Sequence, residues 1–344
     1  MRVFTSLPQE DLKKVGPRAQ EIEAAGYTGV TTQENRHDQF LSLAVAGYTT
    51  TRMELHTSVA IAFARSPMVC ANVGWDIAAS TGGRFTLGLG SQIRAHNEKR
   101  FSVPWTAPAP RMREYVRAVR AIWAAWKGDG KLAYEGKHYR FTLMTPNFVP
   151  EAYDGPTPRL GLAAVGPAML KVAAEESDDV KLHVFCTRKY LSDTIMPILE
   201  AGLAKSGRAR SQFEISGGGF VVTGKDDEAV QKLFDWVRYR VAFYGSTPAY
   251  WPVFEVHGLG DLGRKLNAMT KAGQWDKIAG EVSDDVGHLF SAVGRHDQLE
   301  KAVTERFGGL VDSISASANS AKPSDMPPDL LQDLARIPTP YRHD

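Results

Sequence analysis

Short apolar runs recur eight times along this chain of 344 residues, and most are followed by a stretch with helical apolar spacing. This alternation constrains the fold more than any other feature. Strands joined through a helix run parallel, because the crossover is far longer than a hairpin turn. The runs are RVFTSL, TGVTTQEN, MELHTSVAIAF, RFTLGLGS, PRLGLAAVG, DDVKLHVFC, FEISGGGFVVTG and GLVDSISAS. Between the first two, Leu12, Val15, Ala19, Ile22 and Ala25 mark one helical face that ends at Gly26. After the third, Ser66 and Pro67 read as a cap and first helical position. Met112, Tyr115, Val116, Val119, Ile122, Trp123 and Trp126 line one face of a further helix. The expected fold class is α/β, a closed (β/α)8 TIM barrel. A doubly wound open sheet is the competing architecture, although SGGGF lacks the G-x-G-x-x-G spacing of a dinucleotide turn.

The expected domain is a single barrel over residues 1–318, with insertions at about 128–157 and 224–290. The first insertion contains a hairpin-like stretch, KLAYEGKHYRF. The helix after the sixth strand should be kinked or interrupted near Pro197. Residues 319–344 hold five prolines and read as a wrapping or loosely ordered tail rather than a domain.

A formal charge of +2 argues against a general affinity for nucleic acid. Cys70 and Cys186 match no metal or redox spacing and read as small buried apolar residues of a reducing compartment; no metal is expected. No apolar run reaches membrane-spanning length, and the start of the chain has no signal-like apolar core. The expectations are a cytoplasmic protein acting on a small molecule, without nucleic-acid or membrane partners, and a homodimer.

The stretch TSVAIAFARSP is unusual for a buried strand because its carboxyl end carries little bulk. Small side chains there let a ligand approach the backbone, although ordinary core packing also accounts for an apolar run. A Gly-Pro turn at Val165, Gly166, Pro167 and Ala168 opens a helix after the fifth strand. Such a helix start suits an anion, and a plain strand-to-helix connection also fits it. The triplet Thr187, Arg188 and Lys189 follows the sixth strand as a further source of positive charge, or as a solvated loop.

LHTSVAIAFARSP followed by ASTGGRFTLGLGSQ, with LAAVGPAMLKVAAEESDDV further on, resembles the luciferase-like (bacterial luciferase superfamily) oxidoreductases. The wording of ENRHDQF and YGSTPAYWPVFEVHG is most like the branch dependent on coenzyme F420. The resemblance implies hydride transfer between a deazaflavin and a small organic substrate. It places the ring against Ser58, Val59 and Ala60, with a non-proline cis peptide at Ser58–Val59. Asn35 and Ser91 would line the pocket beside Gln92, and the Gly166 turn would help to hold the cofactor phosphate. Glu34 and His96 are the candidate acid/base residues. Sugar-phosphate-oxidising relatives carry a carboxylate where this chain has Ile93, so their proton chemistry is not expected here. His37 reads as a surface or neighbouring group, His183 as a core or pocket-floor residue inside the sixth strand, and Tyr244, Tyr250 and Trp251 as pocket cover or core. The alternatives are an FMN-dependent monooxygenase of the same superfamily and a cofactor-binding paralogue without turnover.

Overall fold

All eight expected strands form. In the computed structural model, which describes residues 1–316 and 326–342, they are β1 (Arg2–Ser6), β2 (Gly29–Thr32), β3 (Glu54–Thr57), β4 (Phe85–Gly90), β5 (Arg159–Ala164), β6 (Asp179–Leu182), β7 (Glu214–Gly217) and β8 (Ser313–Ser315). Each pairs in parallel with its neighbours. β1 joins β8, and β3 joins β4 through Leu55 opposite Phe85. The ring is therefore closed, which removes the open-sheet alternative.

The helices on the outside include α1 (Leu12–Ala25), α2 (Gln39–Thr49), α3 (Pro67–Ser80), α4 (Arg94–Lys99), α5 (Pro108–Lys127), α6 (Pro167–Glu176), α7 (Met196–Lys205), α8 (Asp227–Gly245), α9 (Gly260–Lys271), α10 (Asp284–Phe290), α11 (Leu299–Phe307) and α12 (Pro328–Arg336). Asp11 caps α1 by accepting from Lys13 N–H at 3.0 Å, and Gly26 ends it with φ of 99°. Ser66 caps α3 with Pro67 in the first turn, as the sequence requires. On α5 the seven apolar residues singled out above are all buried.

Bulky polar groups fill part of the barrel interior, and glycines make room for them. A Cβ on Gly88 would lie 2.0 Å from the Thr57 carbonyl oxygen and 2.5 Å from Lys181 Cε. A Cβ on Gly161 would lie 2.3 Å from Asp179 Oδ1. At the start of the strands, Glu214 on β7 takes Arg2 at 2.6 Å and Arg159 at 3.2 Å. Glu54 pairs with Arg2 and also meets His56 Nε2 at 3.0 Å. Burial would raise the Glu214 pKa, but the two guanidiniums overcome it and hold the carboxyl down to about 2.

α12 covers this end of the barrel. Its Leu330, Leu331 and Leu334 are buried. The amino group of Met1 donates to the Ala335 carbonyl at 3.1 Å, and Tyr341 N–H donates to Asp312 Oδ1 at 2.9 Å. Residues 326–342 of the tail thus lie against the barrel, and its residues 319–325 and 343–344 are outside the described residues.

Three differences from the sequence reading concern local geometry. His183 lies past the end of β6, which stops at Leu182, rather than inside the strand. The helix expected from Arg188 onward divides into one turn at Arg188–Tyr190, a π-helical turn at Leu191–Ile195 and α7. The interruption thus falls just before Pro197, which has no N–H to donate to the helical ladder and whose ring crowds the preceding turn. In addition, Ser291–Arg295 forms a strand that the sequence reading missed; it pairs in parallel with Phe220–Gly224 in a two-stranded sheet of their own, so the expected seventh run FEISGGGFVVTG divides into β7 and a separate strand. The hairpin in the first insertion is short, with Tyr134–Glu135 against Arg140–Phe141. No helix among the described residues is long and apolar enough to cross a membrane.

Candidate functional site

The carboxyl ends of β3, β4 and β5 are where the chain gives up bulk. Thr57 closes β3 by donating its hydroxyl to the Gly88 carbonyl at 2.7 Å and accepting Gly88 N–H at 2.8 Å. Ser58 N–H then turns to the Thr32 carbonyl, 2.7 Å away, and the Ser58–Val59 peptide is cis. The chain returns to pair with β4 only at Ala60 and Ile61, opposite Leu89 and Gly90. A Cβ on Gly90 would sit 2.6 Å from Val59 Cγ2, so glycine is what lets the strand end close on this bulge.

These strand ends open into a cavity of about 580 Å³. Its floor and walls include Ser58, Val59, Ile61, Gly90 and Ala163, with Ile93, Pro108, Ala109 and Met169 adding apolar surface. Asn35, Ser91 and Gln92 supply polar groups. Gln92 has φ of 55°, a left-handed conformation uncommon outside glycine, and such residues concentrate at functional sites. On one side Val165, Gly166, Pro167 and Ala168 bring the start of α6 to the cavity. No side chain caps that helix, and Gly166 has an extended conformation, φ −89° and ψ 160°. A Cβ there would meet no atom within 4 Å. The helix start thus keeps the open approach and positive dipole end that an anion needs.

Most of the expected cofactor-side residues meet here: Asn35, Ser58, Val59, Ser91, Val165, Gly166, Pro167 and Ala168. Ala60 is different; it is fully buried behind the wall and does not line the cavity. Glu34 reaches the cavity, but its carboxylate is held from behind. It accepts Ile61 N–H at 2.6 Å and Arg65 Nη1 at 2.7 Å. Arg65 also reaches Asp38 at 3.2 Å and lies over the Phe40 ring. The arginine of the ARSP motif is therefore the counter-charge beside Glu34, and the carboxylate is tied to the Ile61 backbone. His96 faces solvent on α4 and is not part of the cavity wall, so the expectation of a substrate-facing acid or base at that position meets no supporting geometry. The buried member of that helix is Asn97, which donates to the carbonyls of Ser91 and Ile93 at 2.9 and 3.0 Å and so shapes the Ser91 loop.

The remaining candidates lie elsewhere. His37 is exposed and does not line the cavity. His183 stacks on Tyr250 at 4.8 Å and meets the edge of Tyr244 at 4.5 Å. Burial, and then the Arg240 charge, push its pKa down to about 4, which leaves it a neutral imidazole. Its Nδ1 accepts from Phe185 N–H at 3.0 Å. Trp251 donates to the Gly245 carbonyl at 3.0 Å. These aromatic residues form a packed group beyond the end of β6. Thr187, Arg188 and Lys189 line a second cavity rather than the one beside Gly166. Burial pushes the thiols of Cys70 and Cys186 up to about 11 and about 12, as inert buried residues require. Among the described residues no three His, Cys, Asp or Glu side chains converge as a metal ion would need.

The cavity residues that sequence reasoning missed are Gln33, Ile61, Gly90, Ala163, Pro108 and Ala109. Apart from Ala163, whose small side chain on β5 matches those around Val59, they carry no chemical signal in the sequence; only the closure of the barrel brings them together.

Comparison with known proteins places these features in context. The chain is 45% identical over 314 residues to an uncharacterized protein of Mycobacterium tuberculosis, an alignment covering 91% of this chain and 92% of that one. It is 28% identical over 300 residues to the 5,10-methylenetetrahydromethanopterin reductase of Archaeoglobus fulgidus, with 85% of each chain covered. The coenzyme F420-dependent tetrahydromethanopterin reductase of Methanopyrus kandleri shares the fold, with a TM-score of 0.76 at 18% identity over 98% of this chain and 97% of that one. The luciferase-like monooxygenase family model matches residues 2–313, and with the closed barrel and the cavity at its strand ends, the chain belongs to that family.

Proposed function

We propose that this protein is a coenzyme F420-dependent oxidoreductase. The observation that carries the reading is the cavity itself. A slot floored by Ser58, Val59 and Ala163 ends beside the uncapped start of α6 at Gly166. Little bulk on the floor suits a flat tricyclic ring, and the helix start suits a phosphate. Bound there, the deazaflavin supplies hydride chemistry to and from a small organic substrate. The chain's own contribution is positional. Arg65 and Glu34 hold the Ile61 backbone against the slot, Asn97 holds the Ser91 loop, and the α6 N–H groups receive the anion. Ile93, 59% exposed at the cavity edge, supplies apolar surface instead of a carboxylate. The reading therefore favours a substrate whose reaction needs no proton from that position. The 29% identity over 320 residues to a Mycobacterium tuberculosis protein named for dependence on coenzyme F420 supports an F420 partner.

The test is a titration of the chain with F420 and, separately, FMN, followed by quenching of intrinsic tryptophan fluorescence. F420 is expected to bind at micromolar or lower concentration and FMN more weakly. Tighter binding of FMN would transfer the same cavity to an oxygen-activating flavin enzyme, and binding of F420 without turnover of any alcohol, enone or imine would leave a cofactor-binding protein.

A further inference from the structure

Two segments border the mouth of the cavity beside Ser58. One is the loop after β2 that carries Gln33, Glu34 and Asn35, and the other runs from Ser91 through α4 after β4. The second segment is tightly placed. Gln92 and Ser102, the two non-glycine residues with left-handed backbone among those described, stand on either side of α4, each with φ of 55°. Such conformations are disfavoured for these residue types and concentrate at functional sites. Asn97 anchors the helix through the carbonyls of Ser91 and Ile93. Arg100 then reaches across to the first segment. Its Nη2 donates to the Asn35 carbonyl, and its guanidinium lies 4.9 Å from the centre of the Phe101 ring. Arg36 follows Asn35 directly, so both arginines belong to one stretch of the rim.

The carboxylates of this region are already paired. Glu34 and Asp38 both meet Arg65, and Glu98 meets Arg94. Arg36, Lys99 and Arg100 are exposed and have no carboxylate partner among the described residues. The rim therefore carries positive charge that no protein group neutralises, although the whole chain has a formal charge of only +2. Just inside the rim the lining turns apolar, with Ile93, Pro108, Ala109 and Met169. Ile93 is 59% exposed, and an apolar body entering the cavity would cover it.

We propose that the substrate of this site is a small organic acid with an apolar body, its carboxylate held at the mouth by Arg36 and Arg100 and its body against Ile93, Pro108 and Ala109. A planar guanidinium fork matches a carboxylate through two parallel hydrogen bonds. Arg100, tied at Nη2 and stacked on a ring, offers its remaining donors already oriented. The one carboxylate in the cavity lining, Glu34, is neutralised by Arg65 and does not repel such an acid. The helix start at Gly166 belongs to another part of the wall, so an anion held there does not compete. That the acid is the substrate rests on the F420 reading; that it binds does not.

The experiment is calorimetric titration of the full chain, without cofactor, with cyclohexanecarboxylate and, separately, with cyclohexylmethanol, which has the same apolar ring and no charge. The acid should bind about tenfold more tightly than the alcohol. Arg36→Gln and Arg100→Gln should each weaken the acid about threefold and together remove its advantage, with the alcohol unchanged. Gly166→Leu should leave the advantage intact, as should Lys131→Gln with Lys137→Gln, which removes two exposed cations of the first insertion. Circular dichroism checks that each variant is folded; if the double arginine variant is not, the single variants decide. Equal binding of acid and alcohol by the wild-type chain, an undiminished advantage in the folded arginine variants, or its loss in either control would each overturn the assignment. F420 titration of the double arginine variant separates substrate from cofactor. Unchanged affinity keeps the rim for the substrate, and a parallel loss would hand it to the cofactor and overturn the assignment. A wild-type chain that prefers the acid but does not bind F420 would strike the F420 reading and leave the acid site standing.

Discussion

The two ends of the barrel are built on opposite principles. At the amino ends of the strands, charge is abundant and closed off: Arg2, Glu54, His56, Arg159, Asp179, Lys181 and Glu214 engage one another, and α12 lies across that end. At the carboxyl ends the side chains are small, a cavity remains open, and the start of α6 and the Arg306 guanidinium keep donors without protein partners. One end sets opposite charges against each other, and the other keeps donors open beside a cavity. This is the division of labour that parallel barrels permit, because loops at the carboxyl face can vary while the opposite face holds the ring together.

The largest expected effect breaks the closed end. Glu214→Gln leaves Arg2 and Arg159 buried beside a neutral amide, and removing one partner of a buried ion pair costs about 3–5 kcal/mol. Urea unfolding should show that loss, while the F420 affinity of the folded fraction stays unchanged. A destabilisation under about 1 kcal/mol would mean that the network is solvated and the contrast between the ends is false.

Gly166→Leu acts on the open end. Its extended φ allows a side chain without strain, and the side chain would project into free space beside the cavity. Phosphorylated cofactor should therefore bind about ten- to a hundredfold more weakly, the loss of one charge-assisted contact worth about 1.5–3 kcal/mol. The melting temperature and the affinity for a dephosphorylated cofactor should hold. Equal weakening of both cofactor forms would reduce the turn to a connection.

Glu34→Gln sharpens the comparison, because Glu34 is a satisfied charge at the open end. An amide oxygen can still accept Ile61 N–H, but the Arg65 ion pair is lost, so stability should fall by about 1.5 kcal/mol. If Glu34 is purely positional, the pH profile of turnover stays unchanged. Disappearance of one limb of that profile would restore it as an acid or base.

The smallest effect concerns His183. Its pKa is lowered from 6.5 to about 4, mainly by burial. The unfolded chain therefore takes up a proton near pH 6.5 that the folded chain refuses until about pH 4. Stability from this group is complete above pH 6.5 and declines as pH falls from 6.5 to 4. His56 and His257 are shifted in the same direction, each chiefly by burial. His183→Asn should thus flatten one part of the stability slope in that window, as measured by urea midpoints at several pH values. An unaltered slope would show that the imidazole is hydrated.

The strands, the caps and the small-residue stretch were readable along the chain because they are local. Alternation sets parallel pairing, Ser66-Pro67 starts a helix whatever surrounds it, and Val59, Ala60 and Ala62 are small before anything folds. The polar ends of the site were less readable. Glu34 looks like a free acid in sequence, and only the approach of Arg65 and Ile61 N–H, nearly thirty residues on, turns it into a fixed acceptor. His96 and Asn97 are adjacent in sequence, and the rotation of one short helix decides that the amide is buried and the imidazole faces solvent. The strand Ser291–Arg295 carries no alternation strong enough to announce itself, and its pairing with Phe220–Gly224 is a long-range choice. What the sequence by itself determined was the parallel alternation of strands and helices and the place where the strand ends lack bulk, since both follow from periodicity and side-chain size; the closure of the ring rests on the pairing of β1 with β8. What only the tertiary structure decided was which charges are spent on one another and which, like that of Arg306, are buried without an opposite charge, because pairing depends on distances between segments that the order of residues does not contain.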